Sequence, residues 1–183
     1  VALQVAEQMS DYLLKGAVTN VINMPSISAE EAPRLKPFVT LADVLGGFVG
    51  QVTESAIKEV EILYEGSTAE MNTKALTSAV LAGLIRTQVA DVNMVSAPIM
   101  VKERGIVLSE IKRDKSGVFD GYIKLTVKTE NNTRSVAGTC FADGKPRFIQ
   151  IKGINLDAEV GRNMVYTTNA DAPGIIGLLG TVF

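Results

Sequence analysis

The chain of 183 residues contains no histidine, and this absence excludes more chemistry than any other feature of its composition. Histidine is the commonest acid–base group near neutral pH and a frequent zinc ligand. Catalytic triads built on Ser-His or Cys-His pairs are therefore excluded within these residues, as are histidine-ligated metal sites. Aspartate and glutamate remain, but no paired-carboxylate signature stands out. We assign no catalytic residue and no metal site to the chain.

Cysteine is nearly absent as well. The single cysteine, Cys140, lies in the predicted strand around Val136–Phe141. One cysteine cannot form an internal disulfide or a cysteine metal site. We interpret Cys140 as a buried, inert thiol rather than a reactive one.

Long apolar runs and an excess of positive charge are also missing. No run reaches the roughly 18 apolar residues that a membrane-spanning helix needs. The net charge of -2 argues against a nucleic-acid surface, which is normally strongly basic. The apolar fraction of 46% is enough for a hydrophobic core. We therefore predict a soluble cytoplasmic protein with no nucleic-acid or membrane partner.

Helical spacing of apolar residues marks the start of the chain. Val1–Lys15 has an apolar stripe of helical period, and Gly16 is the expected stop. Ala17–Pro37 is punctuated by prolines and is predicted to be a connector. Within it, Ser28 and Glu31 have the spacing of a capping box, which predicts a short helical piece there.

Three further helices are predicted before the main sheet. Thr40–Thr53 contains three glycines, which predict close packing against a neighbour. These glycines do not form a nucleotide loop, because they neither follow a strand nor have the phosphate-binding spacing. Asn72–Val89 is strongly amphipathic, and Asn93–Arg104 contains Pro98, which should kink or break it.

Alternating apolar and polar residues predict strands in the remainder of the chain. Ile57–Tyr64 has this pattern, and four later strands are separated by short turns that read as hairpins. The four are Ile106–Lys112, Gly121–Lys128, Thr133–Phe141 and Arg147–Ile151. The order of elements predicts an α+β fold, with a largely antiparallel sheet covered on one face by two main helices.

The last stretch of sequence, NMVYTTNADAPGIIGLLGTVF, reads as a strand at Met164–Thr168, a polar turn, and an apolar helix from Ile175. The start of a helix after such a turn can hold a small anion such as a carboxylate. Half of a strand–turn–helix unit cannot bury its own apolar face. We therefore expect the chain to be part of a longer protein.

Basic residues near the ends of the late strands can converge on an anion. They are Lys145, Arg147, Lys152 and Arg162. Taken singly, each is more simply explained as a surface charge. The stretch Asp171–Gly174 is likewise explained, taken alone, as an ordinary helix start.

Three stretches together resemble the long form of D-3-phosphoglycerate dehydrogenase. Val1–Ser26 (VALQVAEQMSDYLLKGAVTNVINMPS) is similar to the region where that chain leaves its nucleotide-binding domain. Val92–Ile106 (VNMVSAPIMVKERGI) resembles the signature of the allosteric substrate-binding domain, which also occurs in the β domain of iron–sulfur L-serine dehydratases. The stretch from Asn163 resembles the first strand, turn and helix of an ACT domain, the serine-sensing module.

The resemblance implies three parts. Residues 1–53 would be the terminal helix of the nucleotide-binding domain and a connector, residues 54–160 the allosteric substrate-binding domain, and residues 161–183 the start of an ACT domain. The parent would oxidise 3-phosphoglycerate with NAD, the first step of L-serine biosynthesis. Its dinucleotide loop and catalytic residues would precede Val1, so this chain alone is expected to be inactive and without a cofactor. The expected assembly is a homo-oligomer, a tetramer in the parent.

The resemblance also implies a serine site. Asn169 and Asp171 match the family's serine contacts in the ACT module. Asp171 would pair with the ammonium group of serine, and the helix-start amides near Gly174 would take its carboxylate.

A second implied site would bind a phosphate-like anion. Arg147 matches one basic residue of the family's site, but the second position falls on Glu159, which has the opposite charge. Arg162, three residues later, is the expected substitute, with Lys145 nearby. The chain would thus sense an anion or substrate and couple it to serine feedback, with the hinge at Gly153–Gly161 as the moving element.

Two other readings remain open at this point. The chain could be a β-domain piece of an iron–sulfur L-serine dehydratase, although its opening stretch and its lone cysteine argue against this. It could also be a purely structural oligomerisation domain. Sedimentation with and without phosphate would separate assembly from ligand sensing.

Overall fold

The computed structural model describes residues 1–21, 26–114, 117–169 and 172–182. The α-helices within these ranges are α1 (Ala2–Lys15), α2 (Ala32–Val52), α3 (Thr73–Arg86), α4 (Ser96–Glu103) and α5 (Ile175–Val182). The strands are β1 (Ile57–Gly66), β2 (Val107–Arg113), β3 (Gly121–Thr129), β4 (Thr133–Cys140), β5 (Pro146–Ile151) and β6 (Ile154–Glu159). A short 3₁₀ helix, Ser67–Glu70, links β1 to α3.

The six strands form one sheet in the order β2-β1-β3-β4-β5-β6. β1 and β2 are parallel, and every other neighbouring pair is antiparallel. This confirms the predicted α+β class with a largely antiparallel sheet.

Helices α2 and α3 pack side by side on one face of this sheet. They approach so closely that a Cβ on Gly46 would overlap the carbonyl of Val80, and one on Gly83 would overlap the carbonyl of Asp43. Only glycine permits backbones to meet at this distance. The close packing predicted from the glycines of residues 40–53 is therefore confirmed.

The core lies between these helices and the central strands. Leu41 and Leu45 of α2 are fully buried, and Leu41 lies against Gly138 of β4. Tyr64 of β1 is also fully buried, and its hydroxyl hydrogen-bonds Thr77 of α3 at 2.8 Å. Burial of apolar side chains between one helical layer and one sheet face is what stabilises a two-layer fold.

The predicted connector at Ala17–Pro37 is wrong at its end, because α2 already begins at Ala32 and contains Pro37. The expected capping pair is present: Ser28 Oγ accepts a hydrogen bond from the Glu31 amide at 3.2 Å and donates to the Glu31 carboxylate at 3.1 Å. Pro37 costs one helical hydrogen bond. Burial of Leu35 and Phe38 on either side of it offsets that cost.

The predicted kink at Pro98 is also wrong. α4 begins only at Ser96, so Pro98 lies in its first turn, where a backbone amide has no helical acceptor to lose. Asn93 Oδ1 accepts from the amides of Val95 at 2.9 Å and Ser96 at 3.1 Å, which satisfies the start of this helix.

The expectation of a continuous run of hairpins fails at its first step. β2 does not pair with β3 but lies parallel to β1 at the edge of the sheet, so β1 sits between them. The segment from α3 to α4 makes the crossover that a parallel pair requires. Periodicity identified the strand but carried no information about its partner.

The last corrections concern the chain after β5. The predicted hinge at Gly153–Gly161 is largely strand β6. Lys152 and Gly153 have φ of 49° and 80°, the left-handed pair that a two-residue hairpin between β5 and β6 needs. Met164–Thr168, predicted to be a strand, belongs to no strand of the sheet. Its Tyr166 packs instead against Phe48 of α2.

None of the helices in the described ranges is both long and apolar enough to cross a membrane.

Candidate functional site

The hairpin of β5 and β6 at the edge of the sheet carries two different surfaces. Side chains alternate across a strand, so neighbouring residues of β6 lie on opposite faces. Leu156 and Ala158 lie on the face that α2 covers and line a cavity there. Asp157 and Glu159 lie on the other face, where both meet Arg147 of the neighbouring strand.

Four charged side chains form what we call the β5–β6 charge cluster: Lys145, Arg147, Asp157 and Glu159. Arg147 Nη1 donates to Asp157 Oδ1 at 3.2 Å, and Arg147 Nη2 donates to Glu159 Oε2 at 3.4 Å. Lys145 Nζ donates to Glu159 Oε1 at 2.9 Å. Arg147 and Glu159 are direct cross-strand partners, so the register of the hairpin sets this contact.

Arg147 is the best-held member of the cluster. Its guanidinium lies 5.1 Å from the ring centroid of Phe141, which is stacked on Phe119 at 6.3 Å. A planar cation over an aromatic face is favourable and fixes the orientation of the guanidinium. Its buried Nε makes no hydrogen bond to any residue that the structure describes.

The acidic partners change the electrostatics of this edge. The hydrogen bond from Lys145 to Glu159 and the attraction between their charges raise the pKa of Lys145 above its ordinary value. With two cations against two carboxylates, the cluster has no net charge of its own. Lys145 and Arg147 are therefore close together, as an anion site requires, but they already have anionic partners.

The opposite face of the hairpin borders an open cavity of about 1180 Å³ between α2, β5, β6 and residues 160–169. Its aromatic wall is built around Phe48, whose ring lies 5.3 Å from that of Phe148 and 5.2 Å from that of Tyr166. At the rim, Lys152 Nζ lies 6.0 Å from the centroid of Tyr166. The paired side chains of Arg86 and Asp43, 2.6 Å apart, also line it.

The predicted anion-site residues do not all come together. Lys145 and Arg147 share the charge cluster, whereas Arg162 lines the cavity on the other side of β6. Of the predicted serine contacts, Asn169 is exposed and also lines the cavity. Gly174 has φ of 92° and immediately precedes α5. Asp171 lies outside the described residues, so the serine site stays a prediction.

Reasoning from the sequence missed the partners of the basic residues. The sequence alone gives Glu159 the wrong charge for an anion site and assigns Asp157 no role. The available signal was the Lys152-Gly153 dipeptide between two alternating stretches, a two-residue hairpin signature that pairs the two strands in one register. The aromatic wall had no comparable signal, because Phe48 and Tyr166 are far apart in the sequence.

Two further polar groups are Tyr64, which is fully buried on β1, and Cys140, which is half-buried on β4 opposite Pro146. Burial, with a smaller contribution from nearby Glu110, raises the pKa of Tyr64, while its bond to Thr77 opposes the shift. Thr77 in turn donates to Glu110 of β2. Burial, then the charge of Asp143, raises the pKa of Cys140 to about 12, which favours the interpretation of an inert thiol.

No group of three or more metal-ligating side chains that could hold an ion occurs in the described part of the chain.

Comparison with known proteins matches strands β1 to β5, helices α3 and α4 and most of α2 to one family model, whereas β6 lies beyond the matched residues. Residues 34–152 match the D-3-phosphoglycerate dehydrogenase intervening domain. The whole chain is 33% identical to D-3-phosphoglycerate dehydrogenase of Bacillus subtilis and covers 35% of that protein. It is 30% identical over its whole length to the Synechocystis enzyme of the same name, covering 33% of it. With the Methanocaldococcus jannaschii enzyme it shares 33% identity over 94% of the chain and 33% of the relative. The chain thus spans about a third of the length of these relatives.

Proposed function

Because the chain belongs to the D-3-phosphoglycerate dehydrogenase family, we propose that it is the regulatory part of such an enzyme. The parent would oxidise 3-phosphoglycerate with NAD in the first step of L-serine biosynthesis. The match of residues 34–152 to the intervening domain is the observation that carries this proposal. The absence of histidine fits a part of the protein that senses ligands rather than one that moves protons.

The anion sensor of this regulatory part would be the charge cluster. Lys145 and Arg147 lie close together at the start of β5, and both hold carboxylate oxygens at hydrogen-bond distance. An arginine fork beside a lysine is equally suited to phosphate oxygens. A phosphate-like anion, including a phosphorylated substrate, is therefore the chemical class that this edge would recognise.

The serine sensor would be the turn before α5. Asn169 precedes this turn and Gly174 ends it, with Asp171 between them in the sequence. A carboxylate side chain, an amide side chain and the free amides of a helix start are what a zwitterionic amino acid requires. Binding there would regulate the parent only by favouring one of two states of different affinity.

The remaining parts of the proposal concern the parent. It would be cytoplasmic and would assemble as a homo-oligomer, with a tetramer as the expected state. NAD would bind in the catalytic part and not to the residues of this chain.

The test is serine inhibition of the full-length enzyme that contains this chain. Asp171→Ala should raise the serine concentration for half-maximal inhibition by at least about tenfold, the effect of losing one charge-assisted hydrogen bond of 1.4 kcal/mol or more. Asp114→Ala, at an exposed aspartate after β2, is the matched control and should leave inhibition unchanged. If Asp171→Ala is inhibited like the wild type, Asp171 is not a serine contact.

A further inference from the structure

We infer that Asp157 and Glu159 are built-in competitors of the anion, and that an anion binding to Lys145 and Arg147 releases the end of β6. This inference rests on the proposed function, because it concerns how the proposed anion site is regulated. It adds to that site two carboxylates of the protein itself, which an incoming anion has to displace.

The first step is the charge balance of the cluster. Both oxygens of Glu159 are engaged, one by Lys145 and the other by Arg147, and Asp157 holds the second nitrogen of Arg147. An incoming dianion would meet no net positive charge while these contacts persist. Its binding free energy is therefore reduced by the cost of displacing at least one carboxylate.

The second step is that Arg147 is held more firmly than its carboxylate partners. The Arg147 side chain is only 23% exposed, whereas the side chains of Asp157 and Glu159 are 63% and 46% exposed. Phe141 holds the guanidinium from below. Arg147 is the fixed part of the receptor, whereas the Lys145 side chain is 57% exposed and, like the two carboxylates, is within reach of water. Exposed ion pairs contribute at most about 1 kcal/mol each, so the carboxylates can be replaced at little cost in free energy.

The third step is the connection to the other face of the hairpin. Glu159 is the last residue of β6, and the next amide, that of Val160, donates to the carbonyl of Pro146 at 3.1 Å. Ala158 and Val160, on either side of Glu159, line the cavity. Loss of the Glu159 contacts would leave this end of an edge strand held by few backbone bonds, so that an anion on one face would loosen the wall of the cavity on the other.

Calorimetric titration of the full chain with inorganic phosphate tests the competition. Glu159→Gln removes the competing charge and keeps the size of the side chain, so it should bind phosphate about three- to tenfold more tightly than the wild type, which corresponds to about 1 kcal/mol. Glu59→Gln is the matched control, because Glu59 holds Lys128 at 3.0 Å on a distant strand. It should bind phosphate like the wild type.

Hydrogen exchange tests the release. Phosphate should speed exchange of the Val160 amide in the wild type and leave the amides of β3 and β4 unchanged. In Glu159→Gln the Val160 amide should exchange fast already without phosphate. The double variant Arg147→Gln/Glu159→Gln should lose the gain in phosphate affinity.

The outcomes separate this inference from the proposed function. Equal phosphate affinity of the wild type and Glu159→Gln overturns the competition and leaves the anion site standing. Tighter binding with no change at Val160 overturns the release of β6. Absence of phosphate binding in every variant removes the proposed anion site, and this inference with it.

Discussion

The contact between α2 and α3 is tightly packed, whereas the hairpin of β5 and β6 exposes much of its surface to water. Between the helices there is no room for one methyl group at Gly46 or Gly83, and the leucines facing the sheet are fully buried. At the hairpin, Ile154 is 70% exposed and the side chains of the acidic residues are about half exposed. The first region is fixed by packing, whereas β6, the outer strand of the hairpin, is held by its backbone bonds to β5 and by exposed charge pairs.

The difference indicates which region can respond to a ligand. Close-packed backbone contacts have no alternative arrangement of similar energy, because moving either helix opens a void or creates a clash. Exposed charge pairs exchange partners at little cost in free energy. We therefore expect mutations in the helix pair to change stability and mutations in the hairpin to change binding.

The largest effect on stability is expected from Leu41→Ala. Leu41 is fully buried between α2 and the sheet, so its truncation should lower the free energy of unfolding by about 3 kcal/mol, within the usual range of 2–5. Urea denaturation measures this. Ile154→Ala, a matched truncation on the exposed hairpin, should change the same quantity by less than about 0.5 kcal/mol. Similar losses in both variants would contradict the division into two regions.

A somewhat smaller loss is expected from Gly83→Ala. The added Cβ would meet backbone atoms of Asp43 and Gly47, which cannot rotate away, and overpacking of this kind costs about 1–3 kcal/mol. Gly47→Ala is the control on the same helix pair, because nothing lies within 4 Å of its Cβ position. As a helix-interior replacement it should stabilise the protein by up to about 1 kcal/mol. Thermal unfolding of the two variants should therefore shift in opposite directions; a shift of Gly83→Ala upwards would show that the helices can separate.

The sequence predicts those features of the two regions that depend on neighbouring residues, and it does not predict those that depend on contacts between distant residues. The helices and the strands of the core were predicted because apolar period and glycine content are local properties, as at residues 73–86 and 121–129. The pairing of β2 with β1 was not, because partner choice depends on contacts between residues far apart in the chain.

For the same reason, the sequence predicts the basic residues of the candidate site but not their partners. Lys145 and Arg147 were identified by their place at a strand end. Their carboxylate partners depend on the hairpin register, and the separation of Arg162 from them depends on which face of β6 the chain follows afterwards. The identity of a charged residue was therefore predictable and its partner was not.

The smallest expected effect concerns a polar group inside the packed region. Tyr64→Phe removes the hydroxyl that hydrogen-bonds Thr77 and should lower the free energy of unfolding by about 1 kcal/mol. Tyr122→Phe is the control on the open face: the Tyr122 hydroxyl donates to Glu65 at 3.0 Å but is only half buried, so a smaller loss is expected.

The pH dependence of stability tests whether the loss in Tyr64→Phe comes from the buried hydroxyl. Burial raises the pKa of Tyr64 in the folded protein above the ordinary value of about 10 that the unfolded chain has. The folded state therefore holds the proton more tightly, so the contribution of Tyr64 is complete below about pH 10 and is lost as the pH rises further. Urea denaturation at pH 8 and pH 10.5 should show the wild type losing more stability than Tyr64→Phe. Equal losses of stability in the two proteins would mean that the Tyr64 hydroxyl is accessible to water. The contrast between the packed helices and the exposed β5–β6 hairpin would then not extend to polar groups.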